Sequence, residues 1–143
     1  MSFSLDIKHF DELSSRELYD ILHLRDVVFV VGQKITAVPE VDGLDPQCAH
    51  VRAFVDGALA GTARVFVDEV PLIVGRVAVR PDLQRSGVGT RMMEFVAEWL
   101  GERPAELHAQ AYLQAWYARL GWTRVGDPFE EAEIPHVMMR REI

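Results

Sequence analysis

A single cysteine in 143 residues leaves no thiol partner, so no disulfide framework organises the fold. That residue, Cys48, has only His50 as a basic neighbour and reads as structural rather than nucleophilic. No uninterrupted apolar run approaches ~18 residues, which excludes a membrane-spanning helix. The opening Met1-Ser2-Phe3-Ser4 lacks the basic and apolar stretches of a secretory signal, so a soluble, cytoplasmic protein is expected. Basic residues are outnumbered, 15 against 22, and the net charge of −7 argues against nucleic acid, whose phosphates want a basic face. An acidic surface suits a cationic small molecule, although solubility alone accounts for it as well. The five histidines show no H-x-x-x-H or similar spacing, and with one thiol no metal site is expected. Repeats, linkers and low-complexity segments are absent, and the length suits one domain over residues 1–143.

What the chain does have is concentrated between Gly75 and Leu100. Val77-Ala78-Val79 is a short strand-like run, and Pro81 removes a donor and ends it. Beyond Gly89, the residues Met92, Met93, Val96, Trp99 and Leu100 recur at three- and four-residue spacing, one face of a helix. The turn between them, Gln84-Arg85-Ser86-Gly87-Val88-Gly89-Thr90, has two residues without a Cβ, so an anion can approach its backbone closely. The helix adds unpaired first-turn N–H groups and its positive dipole end. A pyrophosphate seat is implied, although such glycines also serve simply to start a helix. No G-x-x-x-x-G-K-S/T is present, and a dinucleotide-binding G-x-G-x-x-G would need glycine at Met92.

With the central helix, the pattern predicts ten elements in all. Phe3, Leu5 and Ile7 alternate as a half-buried strand. Ser14 and Glu17 form a capping box for a helix through Leu18, Ile21, Leu22, Arg25, Val28 and Phe29, whose end is blurred by β-branched residues from Val27 to Val31. Residues 32–48 form a long polar loop. Strands then run from His50 to Val55 and Ala58 to Val67 around an Asp56-Gly57 turn, and from Leu72 to Val79. After the central helix come a strand from Glu106 to Ala111 and a helix from Tyr112 to Leu120 with Gly121 at its C-cap. Two last strands, Trp122 to Val125 and His136 to Arg141, are joined by an acidic loop.

The Gln84-x-x-Gly87-x-Gly89 turn after a strand resembles the acetyl-CoA motif of the GNAT N-acetyltransferases. Tyr117-Ala118-Arg119-Leu120-Gly121-Trp122 resembles a second signature of that family, a tyrosine four residues before glycine and an aromatic. By spacing alone Tyr117 is equally a core aromatic, sharing a helical face with Leu113, Trp116 and Leu120. Three segments look like the ElaA-like branch: Leu24-Arg25-x-x-Val28-Phe29-Val30-Val31-x-Gln33, Asp42-x-x-Asp45 with His50, and Glu131-x-x-Ile134-Pro135-His136. The chain departs from that branch at Gly32, where glutamate is usual, and at Glu133, where glycine is usual.

The resemblance implies an α/β (α+β) fold, a mixed central sheet of about six to seven strands flanked by helices. One helix usual before the second strand is replaced by the 32–48 loop. It implies acetyl-CoA as co-substrate, with Gln84 among the cofactor-binding residues and pyrophosphate contacts at Arg85, Ser86, Gly87, Val88, Gly89 and Thr90. Pantetheine contacts fall on Val77, Val79 and Gln110, and Tyr117 becomes the proton donor to the departing thiolate. The acceptor is a small primary amine, with Arg25, Glu40, Asp42 and Glu133 as substrate-binding candidates. A general base is sought among Glu40, Asp42, His50, Glu133 and His136. His136 is preferred because imidazole titrates near neutrality. The acids Asp127, Glu130, Glu131 and Glu133, with Glu40, Asp42 and Asp45, suggest a pocket for cationic amines. The alternative is a non-catalytic acyl-CoA-binding sensor. Dimers are common in the family, and no residue here fixes an interface.

Overall fold

Seven strands join one sheet in the order β1-β2-β3-β4-β5-β7-β6, in a computed structural model that describes residues 2–141. They are β1 (Phe3–His9), β2 (Cys48–Val55), β3 (Ala58–Phe66), β4 (Leu72–Val79), β5 (Ala105–Gln110), β6 (Thr123–Glu131) and β7 (Ile134–Arg141). All neighbours are antiparallel except β4 and β5, so the sheet is mixed, as the resemblance implied. Among the described residues three α-helices accompany it: α1 (Ser15–Arg25), α2 (Val88–Leu100) and α3 (Gln114–Arg119). Among the described residues, no helix is long and apolar enough to cross a membrane.

The stripe on α2 buries Met92, Met93, Val96 and Leu100 against Val51, Ala53, Val65 and Val74 of the sheet. On α1, the Ser14 hydroxyl accepts from the Glu17 N–H at 3.1 Å while Glu17 accepts from the Ser14 N–H at 2.9 Å. Leu24 and Val28 pack on Ala78 in a separate cluster. The blurred helix end at Val27–Val31 is a π-helical stretch, Asp26–Gly32, in which β-branched side chains widen the turn.

Two features go beyond the expected layout. Thr62 pairs with Ala78 and Arg64 with Gly75, so β4 carries one more residue than β3 there, a bulge centred on Arg76 at φ 49°. The bulge switches parity. Leu72 and Val74 face the α2 core before it, and Val77 and Val79 pack on that core after it.

The acidic loop expected between the last strands is instead part of β6. Asp127 to Glu131 extend the strand, and only Ala132 and Glu133 turn, at φ 51° and 65°. As the outer strand of the sheet, β6 leaves its polar residues solvated, so the hydrophobic alternation that marks a strand is missing from its sequence. Glu133 thus occupies a left-handed position that favours glycine.

Candidate functional site

The parallel pairing of β4 with β5 runs only from Leu72–Ala105 to Val74–Leu107. Past that point β4 continues on β3 and β5 continues on β7, so the two strands part and a cleft opens between them. The Arg80 N–H donates to the Ala60 carbonyl at 2.8 Å, on the β3 side. By strand alternation the backbone groups of Val77 and Val79 therefore point to the unpaired side. A ligand lying there meets a free strand edge.

At the end of that edge the chain turns through Gln84–Thr90 into α2. Gly87 sits at φ 93°, a left-handed cap position. Among the described residues, no acceptor takes the N–H groups of Arg85, Gly87, Val88, Gly89 and Thr90. A Cβ on Gly89 would stand 3.3 Å from the Trp116 ring and 3.4 Å from Val79. Trp116 in turn donates from Nε1 to the Thr90 hydroxyl at 3.2 Å, tying α3 to the turn. Gln84 has a different task from its neighbours: its amide donates to the Val79 carbonyl at 3.1 Å and fastens the turn to the strand. This half of the cleft is lined by Val77, Val79, Gln84, Arg85, Gly87, Gly89 and Thr90, with Trp116 and Tyr117 opposite.

Tyr117 also lines the other half, a cleft of about 490 Å³ between the 33–47 loop and β5–β7. Its side chain is buried, its hydroxyl has no partner among the described residues, and burial pushes the phenol above its ordinary value. It holds its proton at neutral pH.

The floor of this second half follows from strand register. Gln110 pairs with His136 and Phe129 with His136, and two-residue steps add His108 on β5 and Glu131 on β6, so all five share one face. The His136 Nδ1 lies 2.7 Å from the Ile134 carbonyl, which can only accept, so Nδ1 carries the proton and Nε2 is the basic nitrogen. That Nε2 is 3.7 Å from one Glu131 oxygen, and the other Glu131 oxygen is 2.7 Å from His108 Nδ1. Phe129 stacks on the His136 ring. Gln110 donates to the Gln33 side chain at 2.8 Å across the cleft. His108 has no sequence signal beyond its two-residue spacing from Gln110.

The remaining candidates lie apart from the floor. Arg25 is 1% exposed, and its guanidinium is taken by Glu40 at 2.7 Å and Asp45 at 2.7 Å. Arg64 bonds Asp42 at 2.6 Å and Asp45 at 3.0 Å, and Arg76 bonds Glu40 at 2.8 Å. The network pins the 33–47 loop over the sheet. His50 is fully buried, with Nε2 on the Asp45 carbonyl at 3.0 Å, and burial lowers its pKa. Glu133 is exposed in the hairpin turn. Cys48 is buried, and its thiol is pushed up to about 11, which leaves it inert.

Hydrogen bonds from Arg64 hold the Asp42 carboxyl well below the usual range. At Asp45 burial works upward, and the hydrogen bonds and charges of Arg25 and Arg64 overcome it. A depressed carboxylate stabilises the fold fully above its unfolded pKa near ~3.9 and loses that contribution as pH falls through the folded value. Asp42→Asn is therefore expected to lower stability at neutral pH and to flatten the acid limb of a stability–pH profile below about pH 4. An acid limb identical to the wild type in urea titrations would refute the assignment.

The family model described as "Acetyltransferase (GNAT) domain" matches residues 35–143. Protein ElaA of Escherichia coli K12 is 35% identical over 145 aligned residues, covering 94% of each chain. Its crystal structure superposes with a TM-score of 0.87 over 99% of this chain and 100% of that one. The crystal structure of an acyl-CoA N-acyltransferase from Pseudomonas aeruginosa gives a TM-score of 0.86 at 40% identity, covering 98% and 99%. An aminoglycoside 6′-N-acetyltransferase complexed with coenzyme A shares the fold at 13% identity, with a TM-score of 0.68 and coverage of 95% and 96%.

Proposed function

The chain belongs to the GNAT acetyltransferase family, and on that footing we propose that it moves the acetyl group of acetyl-CoA directly to the primary amine of a small molecule. One observation carries the reading: a run of N–H groups around Gly87, unpartnered among the described residues, adjoins an unpaired strand edge, and Tyr117 borders both halves of the cleft. The names of two relatives, an acyl-CoA N-acyltransferase and an enzyme bound to coenzyme A, agree with it.

The turn suits a pyrophosphate. Its five N–H groups without a partner lie at the positive end of the 13-residue α2, and Arg85 adds an exposed cation. The edge of β4 suits an extended arm with amide groups, which Val77 and the Val79 N–H can pair with, the Val79 carbonyl already accepting from Gln84. Bound acetyl-CoA supplies an activated acyl carbonyl and a thiol leaving group.

The chain's own residues then manage protons. His136 Nε2, with its tautomer fixed by Ile134, accepts the proton that an ammonium must lose before the amine can attack. Glu131, itself half exposed, connects that nitrogen to exposed His108 and so to water. Tyr117 donates toward the sulfur as negative charge develops there, in a site screened from solvent. Side-by-side binding of the two reactants supplies much of the remaining acceleration. Arg25, Glu40 and Asp42 hold the loop that walls the acceptor half.

Thermal unfolding with acetyl-CoA, and with NAD and ATP as controls, tests the reading. At ~100 times its dissociation constant a ligand adds about 2.7 kcal/mol, a rise of several degrees for a domain of this size. A rise with acetyl-CoA alone is expected. No rise with acetyl-CoA would reduce the Gly87 turn to a helix start. A rise without thiol release from any amine would favour an acyl-CoA-binding module.

A further inference from the structure

We propose that the acceptor is a monoamine borne on an apolar body and that polyamines are excluded. The inference rests on the acetyltransferase reading and narrows it. Of the acids that the sequence offers for a cationic substrate, the three on the 33–47 loop are already spent inside the protein. Glu40 is held by Arg25 and Arg76, Asp42 by Arg64 and Arg76, and Asp45 by Arg25 and Arg64. Three carboxylates meet three guanidiniums, so the network as a whole carries no net charge. Asp127, Glu130 and Glu133 are exposed and do not line it. Among the described residues, Glu131 is the one lining carboxylate outside that network, and it is committed to His108 and His136.

The walls are of the opposite character. Phe29, Ile35, Phe66 and Ile73 line the acceptor half, and Val38 and Leu44 form an apolar rim, 46% and 39% exposed. Apolar side chains lining a concave cleft let an apolar ligand bury surface that it would otherwise expose to water. Each buried methylene is worth about a fourfold gain in binding. A second ammonium carried into the same cleft gives up its hydration and finds no uncommitted carboxylate.

The experiment compares kcat/KM, from release of the CoA thiol, for 2-phenylethylamine and 3-methylbutylamine against putrescine and spermidine at one ionic strength. A preference of at least about tenfold for the apolar monoamines is expected, on the scale set by one or two buried methylenes and a lost ion partner. Ile35→Glu, at a half-buried position of the irregular loop, should move the ratio toward putrescine. Equal or better turnover of spermidine overturns the inference. The same amines are also added to the CoA complex in thermal unfolding, a readout that needs no turnover. Stabilisation by the apolar monoamines alone supports the inference, and stabilisation by polyamines, or by neither class, overturns it. Failure of the parent reading shows separately, as the absence of any shift with acetyl-CoA.

Discussion

Tyr117→Phe is expected to lower kcat by about 100- to 10,000-fold, the usual worth of a positioned proton donor. The substitution removes one oxygen from a side chain whose hydroxyl has no partner among the described residues. Packing in the core beside Trp116 is retained, so folding stability and the acetyl-CoA shift should stay near those of the wild type. The loss should therefore appear in kcat and leave KM for acetyl-CoA nearly unchanged. It should also shrink with a thioester whose thiol is more acidic, because such a leaving group needs less help. A kcat within about twofold of wild type would remove Tyr117 from the chemistry and return it to the core.

Arg25→Ala should have the largest effect on stability, about 3–5 kcal/mol in urea unfolding, since it leaves buried carboxylates short of a cation. Glu40 and Asp45 keep Arg76 and Arg64 respectively, which places the expected loss toward the lower end of that range. Combining Arg25→Met with Asp45→Asn should recover part of it, because the second change removes the least compensated charge. The loop over residues 33–47 hangs on these bonds, so proteolysis there should accelerate in Arg25→Ala before global unfolding. Unchanged stability in Arg25→Ala would mean that the network is dispensable.

How far the sequence reveals this protein depends on how local each feature is. The Ser14–Glu17 box, the Asp56-Gly57 hairpin and the α2 stripe follow from spacings of two to four residues, and all three are found. The Gly87 turn is legible for the same reason: its left-handed residue and bare N–H groups belong to six consecutive positions. What sequence reading misses is brought together across strands. Glu131 meets His108 only because β6 and β5 both flank β7 in a particular register. Arg25 finds Glu40 and Asp45 through a loop whose path no periodicity encodes. The β4 bulge at Arg76 is equally silent, since Gly75-Arg76 looks like any weak point in a strand. β6 itself is half hidden, because an outer strand clothed in Asp127, Glu130 and Glu131 reads as a loop.

An unpaired strand edge invites any other strand to join it, which is how sheets come to aggregate. By parting after three residue pairs, β4 and β5 create two such edges in the middle of the sheet rather than at its margins. There they face each other across a cleft walled by Trp116 and Tyr117 on one side and the Glu40 loop on the other. One of the two marginal strands, β6, by contrast carries Asp127, Glu130, Glu131 and Pro128, side chains that repel or cannot pair. The molecule keeps an adhesive length of backbone inside a cleft for a narrow guest, and at the β6 margin it turns a charged selvage outward.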